Sequence, residues 1–315
     1  MQKNFEFKRS LNFKSDRVSF GRHESFPLRY GWLTKGFEKI AEDPQALSRD
    51  DATVQLGVGR NMVNAIRYWL RATHFAELDK AGLRPTELGS KILSENGFDR
   101  YLEDEATIWL IHWLLASNPE QSTAWYWFFN HFHKPEFTSQ EAIGALVQFC
   151  QSRVSGKHPP SKIKQDGAIL LRMYVQSKAT PRTPIEEALD SPLSTLRLIS
   201  YSASTRRFQS RSAARVDVPA MVIGFAITEL MDFRQASTIR LDELMQSQSG
   251  IPAVGSVFRL NESGLIAKLE EIIEIFPGAF ELRETAGLQQ FYRIADVNGF
   301  DLLNRQYAEA LRTAA

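Results

Sequence analysis

The 315 residues hold 38 Lys and Arg against 37 Asp and Glu, with 43% hydrophobic and 24% charged residues, values that exclude a disordered or low-complexity chain and fit a globular protein of two or three domains. Charge is uneven: residues 1–93 carry 16 basic and 11 acidic side chains, 94–150 two and eight, 151–215 twelve and four, and 216–315 eight and 14. One cysteine, Cys150, excludes an intramolecular disulfide and a thiolate cage, and is expected as a small buried hydrophobe.

The chain starts with alternating Phe5, Phe7, Val18 and Phe20, read as extended. The start MQKNFEFKRSLNFK lacks the apolar core of a signal peptide, and IWLIHWLLA and MVIGFAI fall short of a span of about 20 residues. A cytoplasmic protein with no membrane partner is expected. Pro27, with Ser25 as a cap ahead of it, predicts the start of a first helix carrying Leu28, Trp32, Leu33, Phe37 and Ile40. A break at EDPQALSRD precedes a short second helix with Ala52, Val54 and Leu56. Gly57 then permits a sharp turn into a third helix starting near Arg60.

At about 100° per residue, Met62, Val63, Ile66, Trp69 and Leu70 of that third helix share one side. Arg60, Asn61, Asn64, Arg67, Tyr68 and Arg71 share the other, and no acidic residue occurs from Gln55 to Phe75. Arg and Asn side chains match phosphate oxygens and the edges of guanine and adenine in a major groove. After it, AEL and LRPT predict a small hairpin about Gly82, a wing presenting Lys80 and Arg84 to the minor groove or the DNA backbone. Thr86 is placed to cap the next helix, with Leu88, Ile92 and Leu93 inside.

From Tyr101 to Cys150 the pattern is helical and rich in Trp and Phe, expected as core. His112 reads as a hydrogen-bonded core histidine. His131 and His133 do not share a helical face and have no cysteine nearby, so no metal is expected there. SRVSGKHPPSKIKQD and ATPRTPIEEALDSPL read as linkers flanking the apolar helix QDGAILLRMYV. STRRFQSRSAARVD places Arg206, Arg207, Arg211 and Arg215 beside Phe208, either a second phosphate contact or a solvated loop. Then come a buried helix AMVIGFAITELMDF, a strand TIRLDEL, a helix ESGLIAKLEEIIEIF, and a hairpin of FELRE and LQQFYRI about Thr285, Ala286 and Gly287. That order is again a winged-helix order, but Glu270, Glu271 and Glu274 suit a protein partner better than DNA.

No GxGxxG, GKT/S, HExxH, GxSxG or paired CxxC is present, so no catalytic residue, cofactor or metal is expected. In FGRHESFPLR, Arg22, His23, Glu24 and Arg29 crowd the start of the first helix. Arg22 is a phosphate contact candidate. His23 with Glu24 is the one pair a nuclease could use, although neighbours on an extended chain point apart.

The stretches FGRHESFPLRYGWL, DATVQLGVGRNMVNAIRYWL, IWLIHWLLA, WYWFFN, GSVFRLNESGL and ETAGLQQFYRI resemble, over nearly the whole chain, an uncharacterised bacterial family, domain of unknown function 4007. The resemblance implies a neighbourhood of sulfur-transfer genes of DNA phosphorothioation systems and a DNA-linked defence role. It carries over no catalytic residues.

The expected fold is mainly α, with a winged helix-turn-helix over 1–95, a helical aromatic-rich middle over 96–180 and a winged-helix-like α+β domain over 181–315. The expected function is a non-enzymatic adaptor that binds double-stranded DNA and presents its acidic C-terminal domain to a sulfur-transfer, modification or restriction protein. Alternatives are a transcriptional regulator, a DNA nickase or nuclease, and a protein-only scaffold.

Overall fold

The structure, a computed structural model, describes residues 9–176, 191–285 and 287–313. Helices make up most of its regular structure, joined by three small antiparallel sheets. The Phe5 and Phe7 expectation lies outside the described residues, and Val18 and Phe20 sit in irregular chain, not in a strand.

Helix α1 (Trp32–Glu42) buries Trp32, Leu33, Phe37 and Ile40, as their spacing predicts. It begins at Trp32, after Gly31 at φ 75°, and not at the expected Pro27, so Ser25 does not cap it and Leu28 is buried in the loop ahead of it. There the Phe26 N–H bonds back to the His23 carbonyl, and the Phe26 carbonyl accepts Trp69 Nε1. A 3-10 turn at Ala46–Ser48 leads to α2 (Ala52–Leu56) and α3 (Arg60–Ala72). Gly57 ends α2 at φ 66°, a left-handed conformation that glycine adopts without a Cβ penalty. Ala52 and Leu56 are buried, but Val54 is 82% exposed, since two helical steps of about 100° turn it to the far side.

Strands β1 (Ala76–Leu78) and β2 (Leu83–Pro85) pair antiparallel, Ala76 opposite Pro85 and Leu78 opposite Leu83. The Leu83 N–H also donates to the Pro44 carbonyl at 2.9 Å. In α4 (Glu87–Leu93), Thr86 Oγ1 accepts from the Gly89 N–H at 3.0 Å, and Leu88, Ile92 and Leu93 are buried, as expected.

Helix α5 (Glu105–Ala116) is buried at every position from Ala106 onward, the all-round burial of a central helix. Helix α6 (Thr123–His131) adds Trp125, Tyr126, Phe128 and Phe129 to the buried set. His112 Nδ1 lies 2.8 Å from the Tyr174 hydroxyl, the satisfied core histidine that was expected. After β3 (Glu136–Phe137), α7 (Ser139–Arg153) opens on a capping box in which Thr138 and Glu141 satisfy each other's backbone. Cys150 is buried, and burial pushes its thiol up to about 12.

The first expected linker is mostly helix. Helix α7 runs to Arg153, and Pro160 opens α8 (Pro160–Tyr174) at the position where its missing N–H costs nothing. Most of the second, with the expected boundary at 180, lies outside the described residues. Beyond it, β4 (Ser200–Ser202) and β5 (Arg207–Gln209) join β3 in a sheet of order β3–β5–β4. Among the described residues, those within 14–128 and 132–211 form one compact unit, and those within 1–13, 129–131 and 212–315 form another.

In the second unit, α9 (Ala220–Arg234) is buried from Ala220 to Met231. Its Glu229 takes a bidentate contact from Arg9, Nη2 at 2.8 Å. Strand β6 (Thr238–Arg240) stops early and LDEL becomes helix α10 (Leu241–Met245), where extended chain was expected. Glu243 reaches back to the Arg240 N–H and caps the new helix. Helices α11 (Val254–Val257) and α12 (Glu262–Ile275) precede β7 (Phe280–Thr285) and β8 (Leu288–Arg293), and α13 (Gly299–Thr313) packs on α9. The sheet order is β6–β8–β7, with Phe280 stacked on Phe291 at 5.4 Å.

Candidate nucleic-acid interface

Helix α3 separates its residues much as the sequence predicts. Val63, Ile66, Trp69 and Leu70 are buried, Met62 is half-buried, Arg60 and Asn61 are exposed, and Asn64, Arg67 and Arg71 are half-exposed. Tyr68 differs from the expectation of a groove contact. It is 6% exposed and its hydroxyl donates to the Gln121 carbonyl at 2.9 Å. The 20–26 loop and the 118–125 segment pack along that flank of α3, widening its buried side, and burial, with Asp166 adding to it, holds the Tyr68 phenol well above its ordinary value.

The 20–26 loop is locked from both sides. Asp166 of α8 accepts the Gly21 N–H at 2.7 Å and His23 Nε2 at 3.0 Å, while the Ser25 N–H donates to His23 Nδ1 at 3.2 Å. The ring proton therefore sits on Nε2 and points at the carboxylate. The imidazole stacks on Trp69 at 6.0 Å with planes 11° apart, and Trp69 Nε1 holds the Phe26 carbonyl at 3.2 Å. Burial pushes the Asp166 carboxyl above the usual range, and the bonds from His23 and Gly21 oppose that shift.

Between buried Gly21 and buried His23, Arg22 turns outward. It joins Arg67 and Arg71: the Arg71 guanidinium is held below its ordinary value by burial first, then by the like charges of Arg67 and Arg22. Lys162 of α8 lies over Gly21, where a Cβ would fall 2.4 Å from the lysine Cδ. Among the described residues, none of Arg22, Arg67 and Arg71 has a carboxylate partner, and the Asn61 and Asn64 amides make no hydrogen bond to the protein.

The other sequence candidates are distributed differently. Arg60 pairs with Asp50 and Arg84 with Asp79, each at 2.9 Å and each exposed. Such pairs are worth about 0–1 kcal/mol, so both arginines can exchange a carboxylate for a phosphate at small cost. Lys80 is exposed at the β1–β2 turn. Arg206, Arg207 and Arg211 belong to the β3–β5–β4 region. Arg206 is exposed in the β4–β5 turn, whereas Arg207 and Arg211 face Glu136 at 2.6 and 3.7 Å, which neutralises much of the charge that the sequence count assigns to that stretch.

His23 is fully buried with both ring nitrogens engaged, so it holds the loop and does not face a substrate. Among the described residues no group of three or more His, Cys, Asp and Glu is placed to hold a metal ion. Sequence reasoning missed Asp166 and Lys162. The signal for Asp166 was there: an acid on the stripe of Ile163, Ile169, Leu170 and Met173 needs a buried partner.

The fold coincides with that of known proteins. Residues 20–307 match a family described as protein of unknown function (DUF4007), and the chain belongs to that family. It is similar to a solved SspB crystal structure at 28% identity and TM-score 0.81, and to a magnesium ion-bound SspB crystal structure at 28% identity and TM-score 0.82. Each likeness covers 93% of this chain and 89% of the other. No curated protein matches the sequence. No described helix is long and apolar enough to cross a membrane.

Proposed function

We propose that this protein binds double-stranded DNA as an accessory subunit of a bacterial phosphorothioation-linked modification or defence system. In this reading α2 and α3 are a helix-turn-helix, β1–β2 is its wing, and the acidic C-terminal region is a second winged helix that meets a sulfur-transfer, modification or restriction protein. One observation carries it: Arg22 and Arg67 stand near enough to Arg71 for their charges to act on it, and among the described residues none of the three has a carboxylate partner and the Asn61 and Asn64 amides no hydrogen bond. Three like charges held together by the fold repel one another until an anion arrives, and a phosphate backbone supplies one at every nucleotide. The likeness to SspB structures over nearly the whole chain is consistent with this reading.

Replacing Arg67 and Arg71 together by Ala should weaken duplex binding about 150-fold, two charge-assisted contacts at the lower end of their usual range. Fluorescence anisotropy against salt should show a slope smaller by about two, roughly one unit for each phosphate that is no longer neutralised. Unchanged affinity and slope would overturn the reading. A transcriptional regulator would use the same face and would protect a palindromic operator in a footprint.

A metal-dependent nicking enzyme is a second reading, favoured by the magnesium ion bound to one of the similar SspB structures. The described residues do not fit it, because His23 is buried and no ligand set gathers. Supercoiled plasmid incubated with the protein and Mg²⁺ or Mn²⁺ separates the two, relaxed circles supporting the enzyme.

A further inference from the structure

The β3–β5–β4 sheet carries a row of rings that the duplex-binding face does not use. Register places Phe137 opposite Phe208 and Phe208 opposite Tyr201, so the three side chains line one face of the sheet. Phe137 stacks on Phe208 at 5.8 Å with planes 11° apart, and Phe208 meets Tyr201 at 4.8 Å. The row runs from Phe137, fully buried, through half-buried Phe208 to Tyr201, 45% exposed. A ring row built only for the core would end inside it.

Its exposed end lines a shallow, largely open groove of about 290 Å³, flanked by Leu171, Arg172, Val175 and Gln176 from α8 and the residues just after it. The walls are apolar and aromatic, Gln176 offers a donor and an acceptor, and exposed Arg172 has no carboxylate partner among the described residues. Exposed Arg206, in the turn between the two ring-bearing strands, adds a second charge with no carboxylate partner among the described residues. A ligand that satisfies all of these is flat, hydrogen-bonding at its edge and anionic at its tail, which describes one nucleotide of a single strand.

We propose that this cleft takes an unpaired base of single-stranded DNA, stacked on Tyr201, with the adjoining phosphate on Arg172. The inference rests on the nucleic-acid reading above but uses different residues, so the two can fail separately. A base inside a duplex has both ring faces stacked on its neighbours and none left for Tyr201, whereas a frayed, gapped or opened strand offers one.

The test uses the full chain and a single-stranded oligonucleotide carrying one 5-iodouracil. Irradiation should crosslink the strand to Tyr201 or Phe208, read by peptide mass spectrometry. Tyr201→Ala should bind the strand about tenfold more weakly, and Tyr201→Phe should restore it, since the ring and not the hydroxyl stacks. Arg172→Ala should lower the salt slope for the strand by about 0.7, the share of one neutralised phosphate. Duplex affinity should be unchanged in all three variants. Crosslinks confined to other peptides, or full strand affinity in Tyr201→Ala, would overturn the proposal. Loss of duplex binding in the Arg67 and Arg71 double variant, with the Tyr201 crosslink retained, would support both sites as separate surfaces.

Discussion

Residues 32–93 and 220–293 follow one plan, with opposite charge on the helix that enters each hairpin. In each, a long helix comes first, further helices follow, and the last of these enters an antiparallel hairpin: α3 leads to β1–β2, and α12 leads to β7–β8. In each, the second hairpin strand bonds the segment that follows the first helix. At the C-terminal end that segment is a full strand, β6, paired from Thr238 to Arg240. At the N-terminal end it has shrunk to one bond, Leu83 N–H to the Pro44 carbonyl. Yet α3 has no acidic residue and three arginines, while α12 exposes Glu270, Glu271 and Glu274 and tucks its Lys268 against the Val216 carbonyl. Packing fixes the plan and leaves the solvent side free, so two regions of like topology can be turned toward partners of opposite sign.

That contrast can be broken or sharpened experimentally. The largest effect should come from Trp69→Ala, which removes the ring beneath His23, leaves the Phe26 carbonyl without its donor and opens a core cavity. A loss of about 3–5 kcal/mol in urea unfolding is expected, and a loss below about 1 kcal/mol would show that the 20–26 loop does not depend on α3. Next is the Arg67 and Arg71 pair, whose counterpart is a triple change of Glu270, Glu271 and Glu274 to Gln. The triple variant should keep duplex affinity within about twofold if the C-terminal region takes no part in duplex binding, because exposed charges outside a contact act only through a screened field. A large gain in duplex affinity would mean that the C-terminal region also meets DNA.

The helix caps should then show parity. Thr86→Ala and Asn261→Ala each remove the oxygen that accepts from the residue three positions on, at 3.0 and 2.9 Å. Each should cost about 1 kcal/mol of stability and leave duplex binding alone. The smallest effect is expected from Asp79→Asn, which frees Arg84 on the hairpin. It should tighten duplex binding by about twofold at low salt and not at high salt, as for any exposed pair.

What could be read in advance was local. The bounds of α3, the Gly57 turn, the β1–β2 hairpin and the Thr86 cap rest on residues within a few positions of one another. So do the aromatic core helices and the C-terminal hairpin. What could not be read depended on distant segments. Tyr68 falls on the polar side of a helical wheel, and only the chain around Gln121 and the 20–26 loop turns it inward. Arg207 and Arg211 count as basic in sequence, but Glu136 lies across the sheet from them. The tie from His23 to Asp166 spans 143 positions. Conversely, LDEL looked extended because its alternation is too short to distinguish from one helical turn.

The same tie bears on the order in which the protein is made. A fragment ending near residue 95 would contain Arg22, Arg67 and Arg71 yet lack Asp166 and Lys162, which hold the loop presenting Arg22. During synthesis the arginines therefore leave the ribosome well before the helix that aligns them. Their joint surface assembles only once α8 has emerged and closed a loop of more than a hundred residues. A chain cut short or still unfinished therefore lacks the complete arginine surface, whatever that surface meets.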